Sequence, residues 1–151
     1  MSRHIVRIAV VAVMLFAGAA LAPVRAATPD QAKALGNKAA ALIASEGAKA
    51  FATINDPHGP FVKGELYVVV LDRKGVVRAN GMNKLIGMNM WNAKDPDGVL
   101  FTQKIVKLGT TAGTGWVDYK FTDPATNKIE PKKTWVHGVG KYVVLCGVYV
   151  K

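Results

Sequence analysis

The sequence predicts an α+β domain, a long amino-terminal helix packed on a five-stranded antiparallel sheet. Three observations carry this. Apolar residues recur at helical spacing through residues 28–54. From residue 65 onward, short β-rich runs alternate with Gly, Pro, Asn and Asp. The resulting order is helix, hairpin, a connection holding a small helix, then a three-strand meander. An antiparallel sheet so connected can be covered by helix on one face and hold a ligand on the other.

The elements follow in order. Residues 1–7 carry two arginines and no acid, residues 8–22 are apolar, and Val24-Arg25-Ala26 supplies a small-residue exit. Basic head, short apolar middle and small-residue exit predict a secretory signal peptide over residues 1–26. The apolar run is shorter than the roughly 20 residues of a spanning helix. Removing 26 of 151 residues leaves 125, a single domain over residues 27–151. Lys+Arg falls from 20 to 17 against 10 acids, so the net charge drops from +10 to +7. Export, and lysines whose only adjacent pair is Lys132-Lys133, argue against a nucleic-acid partner. The excess charge instead suits small anions. The one cysteine, Cys146, forms no internal disulfide and sits in an apolar run, as a core thiol would.

Thr28-Pro29-Asp30-Gln31 combines a capping residue, a first-turn proline and a glutamine placed to reach back. Ala32, Leu35, Ala39, Leu42, Ile43, Ala50, Phe51 and Ile54 then mark one face of a helix of about six turns. Gly36 and Gly47 weaken it, and the segment Asn55-Asp56-Pro57-His58-Gly59-Pro60 ends it. Residues 65–71 and 76–79 read as a hairpin around Asp72-Arg73-Lys74-Gly75. The connection contains Asp95-Pro96-Asp97-Gly98 and a short helix over residues 99–108. Residues 115–121, 134–137 and 141–150 read as the last three strands. The final one is apolar on both faces and therefore central.

Chemical motifs are sparse. No histidine pair or CxxC marks a metal site, and no metal or other cofactor is expected. His58 falls in a turn and His137 near a strand end, in structural or solvated roles. Ser45, the only serine beyond residue 26, lies mid-helix, away from any nucleophile elbow. Asp95-Pro96-Asp97-Gly98 lacks the other ligands of a calcium loop and reads as a turn. An enzyme is not expected.

The segment Phe61-Val62-Lys63-Gly64-Glu65-Leu66-Tyr67-Val68-Val69-Val70 resembles the opening strand of the single Cache domain family, periplasmic sensor modules shaped like PAS domains. Leu85-Ile86-Gly87-Met88-Asn89-Met90 and Lys94-Asp95-Pro96-Asp97-Gly98 resemble its loop after the second strand. Gly115-Trp116-Val117-Asp118-Tyr119, Pro124, Lys128-Ile129-Glu130-Pro131-Lys132 and Trp135-Val136 resemble its third and fourth strands, and Gly147-Val148-Tyr149 its closing strand. The resemblance implies a PAS-like fold with a pocket over the sheet. It implies binding, without turnover, of small monocarboxylates such as acetate, propionate, lactate or pyruvate. It also implies a stand-alone secreted member, in the periplasm or outside the cell. The partner is then a small organic anion; the alternative is docking on a membrane-bound sensor or signalling protein. Where the family often has Ala-His-Pro, this chain has Ala79-Asn80-Gly81, so Asn80 offers an amide hydrogen bond and no titratable proton.

A carboxylate removed from water needs a cation and several donors. Lys132 matches the family's lysine after proline and is the expected cation. Tyr67 and Tyr119 are expected hydroxyl donors. Trp116 and Trp135 are expected to wall off the alkyl end, with Met88 and Phe51 as further lining. About six heavy atoms, at a ceiling of ~1.5 kcal/mol each, give at most ~9 kcal/mol. Affinity is then about micromolar or weaker.

Overall fold

The computed structural model describes residues 26–150, so all of the predicted signal peptide except Ala26 lies outside the described residues. Helix α1 spans Pro29–Glu46. Its start is a reciprocal cap. The Gln31 N–H donates to Thr28 Oγ1 at 3.2 Å, and the Thr28 N–H donates to Gln31 Oε1 at 2.9 Å. The six-turn helix read from the sequence is interrupted once. Gly47 adopts φ 61° and ψ −138°, a conformation that side chains disfavour, and a 3₁₀ turn over Gly47–Lys49 leads into α2, Ala50–Ile54.

Six strands follow: β1 Val62–Lys63, β2 Leu66–Asp72, β3 Val77–Asn80, β4 Thr114–Thr122, β5 Ile129–Val139 and β6 Tyr142–Tyr149. All pair antiparallel in the order β1-β2-β6-β5-β4, with β3 also paired to β2. The two-residue β1 and the four-residue β3 share the outer edge of β2, so the sheet is five strands wide, as predicted. β6 is central and buried throughout, also as predicted. β5 is longer than residues 134–137. Its ladder with β4 runs from Thr114↔His137 to Thr122↔Ile129, through a Pro131 that reads as a breaker in isolation. The last turn is correspondingly tighter than residues 138–140. Val139 pairs with Tyr142 across Gly140-Lys141.

The sheet separates two cores. One face packs under α1 and α2, with Ala32, Ala39, Ile54, Val68, Val70 and Val144 fully buried. Against the other face lie helix α3, Phe101–Thr111, and the connection of residues 81–100. That connection is pinned by backbone bonds to the β2–β3 hairpin, Val77 N–H to Met88 O at 2.9 Å and Met90 N–H to Gly75 O at 2.8 Å. Asp95 fastens its other end. Its carboxylate accepts the N–H groups of Val99 at 2.8 Å, Asp97 at 3.0 Å and Lys120 at 3.0 Å. Partial burial opposes ionisation of Asp95, but these three donors outweigh it and hold the pKa below the ordinary carboxylate value. Asp95-Pro96-Asp97-Gly98 is thus a turn, and it ties the connection to β4.

Candidate functional site: a cavity over the sheet with one buried cation

Strand alternation decides what faces the second core. β2 sends Leu66, Val68 and Val70 toward α1, and Tyr67, Val69 and Leu71 the other way. On β5, Lys132 and Thr134 face away from α1, while Trp135, next after Thr134, faces toward it. Between this face, α3 and the connection lies a cavity of about 310 Å³. Its exposed lining residues Lys84, Leu85, Thr122, Pro124 and Asn127 mark the mouth. Two of these hold left-handed backbone, Leu85 at φ 62° and Asn127 at φ 55°. Asparagine tolerates that region, whereas a leucine there costs about 1–2 kcal/mol.

Lys132 is 6% exposed. Its Nζ donates to Tyr67 Oη at 2.9 Å and to Tyr149 Oη at 3.3 Å. Tyr149 Oη donates onward to the Thr122 carbonyl at 2.7 Å. Nζ also lies 4.5 Å and 4.8 Å from the ring centroids of Tyr67 and Tyr149, where the rings favour a cation. Among the described residues no carboxylate comes within ion-pair distance of Lys132; the ion pairs there are Arg78–Asp72 and Lys120–Asp97. Burial alone would depress the Lys132 pKa. Tyr119, Tyr67 and Tyr149 outweigh that and hold it above the ordinary lysine value, so the group is an ammonium at neutral pH. An ammonium has three protons to donate, and the two tyrosines accept two.

The lysine reaches this position across Gly147. A Cβ there would lie 2.7 Å from Lys132 Cε and 2.5 Å from Thr134 Oγ1. Only a bare α-carbon on the central strand lets the lysine stem lie flat against the sheet.

Of the eight residues expected at the site, Lys132, Tyr67, Tyr119 and Asn80 line the cavity together. Tyr119 stacks on Phe101 with ring centroids 4.6 Å apart, and its Oη accepts from Thr134 Oγ1 at 3.2 Å. Asn80 is buried; its Oδ1 accepts the Met82 N–H at 2.8 Å, and its own N–H donates to Asn55 Oδ1 at 2.8 Å. The other four lie outside the wall, a correction to the expected lining. Trp135 packs under α1, where its Nε1 donates to Asn37 Oδ1 at 2.8 Å. Trp116 meets Trp135 edge-on at 5.2 Å and packs against the α1 core. Phe51 packs edge-on against Tyr142 at 5.0 Å, and Met88 is 51% exposed on the connection. The reason for the tryptophans is parity. Trp135 is three residues from Lys132 and Trp116 three from Tyr119, and an odd separation on a strand means opposite faces. Tyr149, Thr134, Phe101 and Gly147 also line or shape the site, and sequence reading passed over them. For Tyr149 the signal is register, since it pairs directly with Lys132. Cys146 is 1% exposed and burial pushes its thiol up to about 12, so it is protonated and unreactive.

Residues 38–151 match the family described as single Cache domain 2. The chain belongs to the single Cache family. Its fold is shared by solved Cache-type sensor domains. A methyl-accepting chemotaxis protein from Vibrio parahaemolyticus superposes with a TM-score of 0.66 at 18% identity, over 79% of this chain and 86% of that one. The periplasmic sensor domain of a chemotaxis protein gives 0.62 at 25% identity, over 81% and 90%. A Cache chemosensory domain described for its carboxylic acid recognition gives 0.63 at 23% identity, over 81% and 88%. Single Cache domains are extracytoplasmic ligand-binding sensor modules, a sensor family and not an enzyme family. No described helix of this Cache domain is long and apolar enough to cross a membrane.

Proposed function

We propose that this Cache domain captures a small organic monocarboxylate outside the cytoplasm and releases it chemically unchanged. One observation carries the reading: Lys132, a buried ammonium in a mostly apolar hollow with no carboxylate within ion-pair distance among the described residues. Two of its three protons are taken by tyrosine hydroxyls, and the third is left to pair with an incoming anion. An incoming carboxylate would take the third ammonium proton and the Tyr67 hydroxyl, with Tyr119 and Asn80 beside its body. The carboxylic acid recognition described for the Cache neighbour supports the same chemistry. Acetate, propionate, lactate and pyruvate are the first ligands to test. One of them at millimolar concentration should raise the melting temperature by several degrees, and Lys132→Met should abolish that rise. A flat response to every short acid and to every longer one would end the reading.

The reading includes export. We assign residues 1–26 to a cleaved signal peptide, and amino-terminal sequencing of the exported protein should then begin at Ala27. Docking on a membrane-bound signalling partner is a second reading. It is supported by Leu85, Ile86 and Met88, 37%, 41% and 51% exposed and close in sequence on the connection, with Leu85 lining the cavity. Affinity capture from a membrane fraction tests it. Loss of a captured sensor protein on Ile86→Ser would favour docking, and capture of no sensor with or without ligand would count against it.

A further inference from the structure

We infer that the cavity is shaped for a monocarboxylate whose apolar body, straight-chain or aromatic, carries about six to eight carbons beyond the carboxylate. This rests on the carboxylate reading above and narrows it. Volume is the first argument. A space of about 310 Å³ equals roughly ten water volumes at ~30 Å³ each. Acetate has four non-hydrogen atoms and lactate six, so either would leave a large part of the hollow unfilled.

Length gives the second argument, independently. Tyr67, Val69 and Leu71 all line the cavity from one face of β2. Four residues of strand span about 13 Å at ~3.3 Å per residue. The lining therefore runs well past the reach of a two-carbon acid seated on Lys132.

Wall chemistry is the third. Away from Lys132 the lining is mostly apolar, with Val69, Leu71, Val77, Phe101, Ile105 and Leu145. Its polar members are Asn80, Thr102, Tyr119 and Thr134, with Lys84, Thr122 and Asn127 exposed toward solvent. Such a surface offers water few of the two to four partners that an ordered water requires. Filling that space with solvent gains little, whereas filling it with hydrocarbon gains free energy in proportion to the area covered. Lys132 is the one buried cation of the lining, so the deep end takes a single charge; Lys84 sits exposed at the mouth.

The test is a calorimetric titration of the exported protein with acetate, butanoate, hexanoate, octanoate and phenylacetate, with octanamide as the uncharged control. Affinity should rise about fourfold per methylene, the factor that corresponds to burying one CH₂, up to roughly eight carbons and then level off. Phenylacetate should bind at least tenfold more tightly than acetate, and octanamide about a hundredfold more weakly than octanoate. Val69→Phe, placed on a half-buried cavity wall, should lose octanoate by tenfold or more and keep butanoate. Short acids binding as tightly as octanoate would overturn the inference and leave Lys132 as a carboxylate site. Octanamide matching octanoate would also overturn it. Failure of every acid would remove this inference and the carboxylate reading together, whereas equal binding of short acids removes this inference alone.

Discussion

The two faces of one sheet are built for different ends. Under α1 the strands present Val68, Val70 and Val144, all fully buried, against the alanines of the helix. Across the same backbone, β2 presents Tyr67, Val69 and Leu71 to a cavity of about 310 Å³ that contains an ammonium group. Cohesion and ligand chemistry are thus separated by the two-residue period of the strand. What this teaches is that neighbouring residues on β2 should differ sharply in what they contribute. One face supplies close packing, while the other gives up packing to keep a space open.

The sharpest test is a pair of adjacent substitutions. Val68→Ala should destabilise the protein by about 2–3 kcal/mol, because methyl groups leave a filled interior and a void replaces them. Val69→Ala enlarges a space already present and should cost about 1 kcal/mol or less. Urea unfolding of both variants decides it. Equal costs would break the contrast between the faces.

Gly147 lies where the two requirements meet, and its substitution comes next in size. Alanine there places a methyl group against Lys132 Cε and Thr134 Oγ1. Gly147→Ala should cost about 1–2 kcal/mol by overpacking and should weaken carboxylate binding at least tenfold by displacing the lysine. The double variant Gly147→Ala/Lys132→Ala should recover part of the lost stability, since one of the two clashing groups is gone. Strict additivity in that double-mutant cycle would show that the lysine stem does not rest on Gly147.

Most of the fold was legible in the sequence, because it is written in periodicity and turn chemistry. The capped helix, the hairpin around Asp72 to Gly75, and a central last strand all follow from local patterns and appear in the structure. What escaped was set by tertiary register. The extension of β5 through Pro131 depends on the β4 ladder, and the break at Gly47 depends on where the helix must turn to pack. The site was half legible. Lys132 and Asn80 follow from the resemblance to the family, and Tyr67 and Tyr119 from being phenols on predicted strands. Aromatic character alone points Trp116 and Trp135 to the pocket, but their odd spacing from Tyr119 and Lys132 sends them to the α1 face. In the sequence Tyr149 is one more residue of an apolar run. Only the pairing of β5 with β6 brings its hydroxyl to 3.3 Å from the lysine.

The smallest effect separates the faces by pH. Of the groups on the cavity side whose titrations are shifted, Asp95 and Lys132 are shifted in opposite directions. Asp95 has a lowered pKa, so its contribution is complete above the ordinary value of ~3.9 and is lost as pH falls through its lower folded value. Lys132 has a raised pKa, so its contribution is complete below ~10.4 and is lost only as pH climbs past its higher folded value. Between about pH 5 and 9 neither group changes charge. Carboxylate binding should therefore be level across that window, falling at lower pH as the ligand itself takes up a proton. Asp95→Asn should flatten the acid limb of the stability profile, because the carboxylate that accepts the Lys120, Val99 and Asp97 N–H groups is gone. The α1 face depends on neither group, so Val68→Ala should lower stability by the same amount at pH 5 and pH 9. A loss that varies across that window would mean the two faces are coupled through the strands they share.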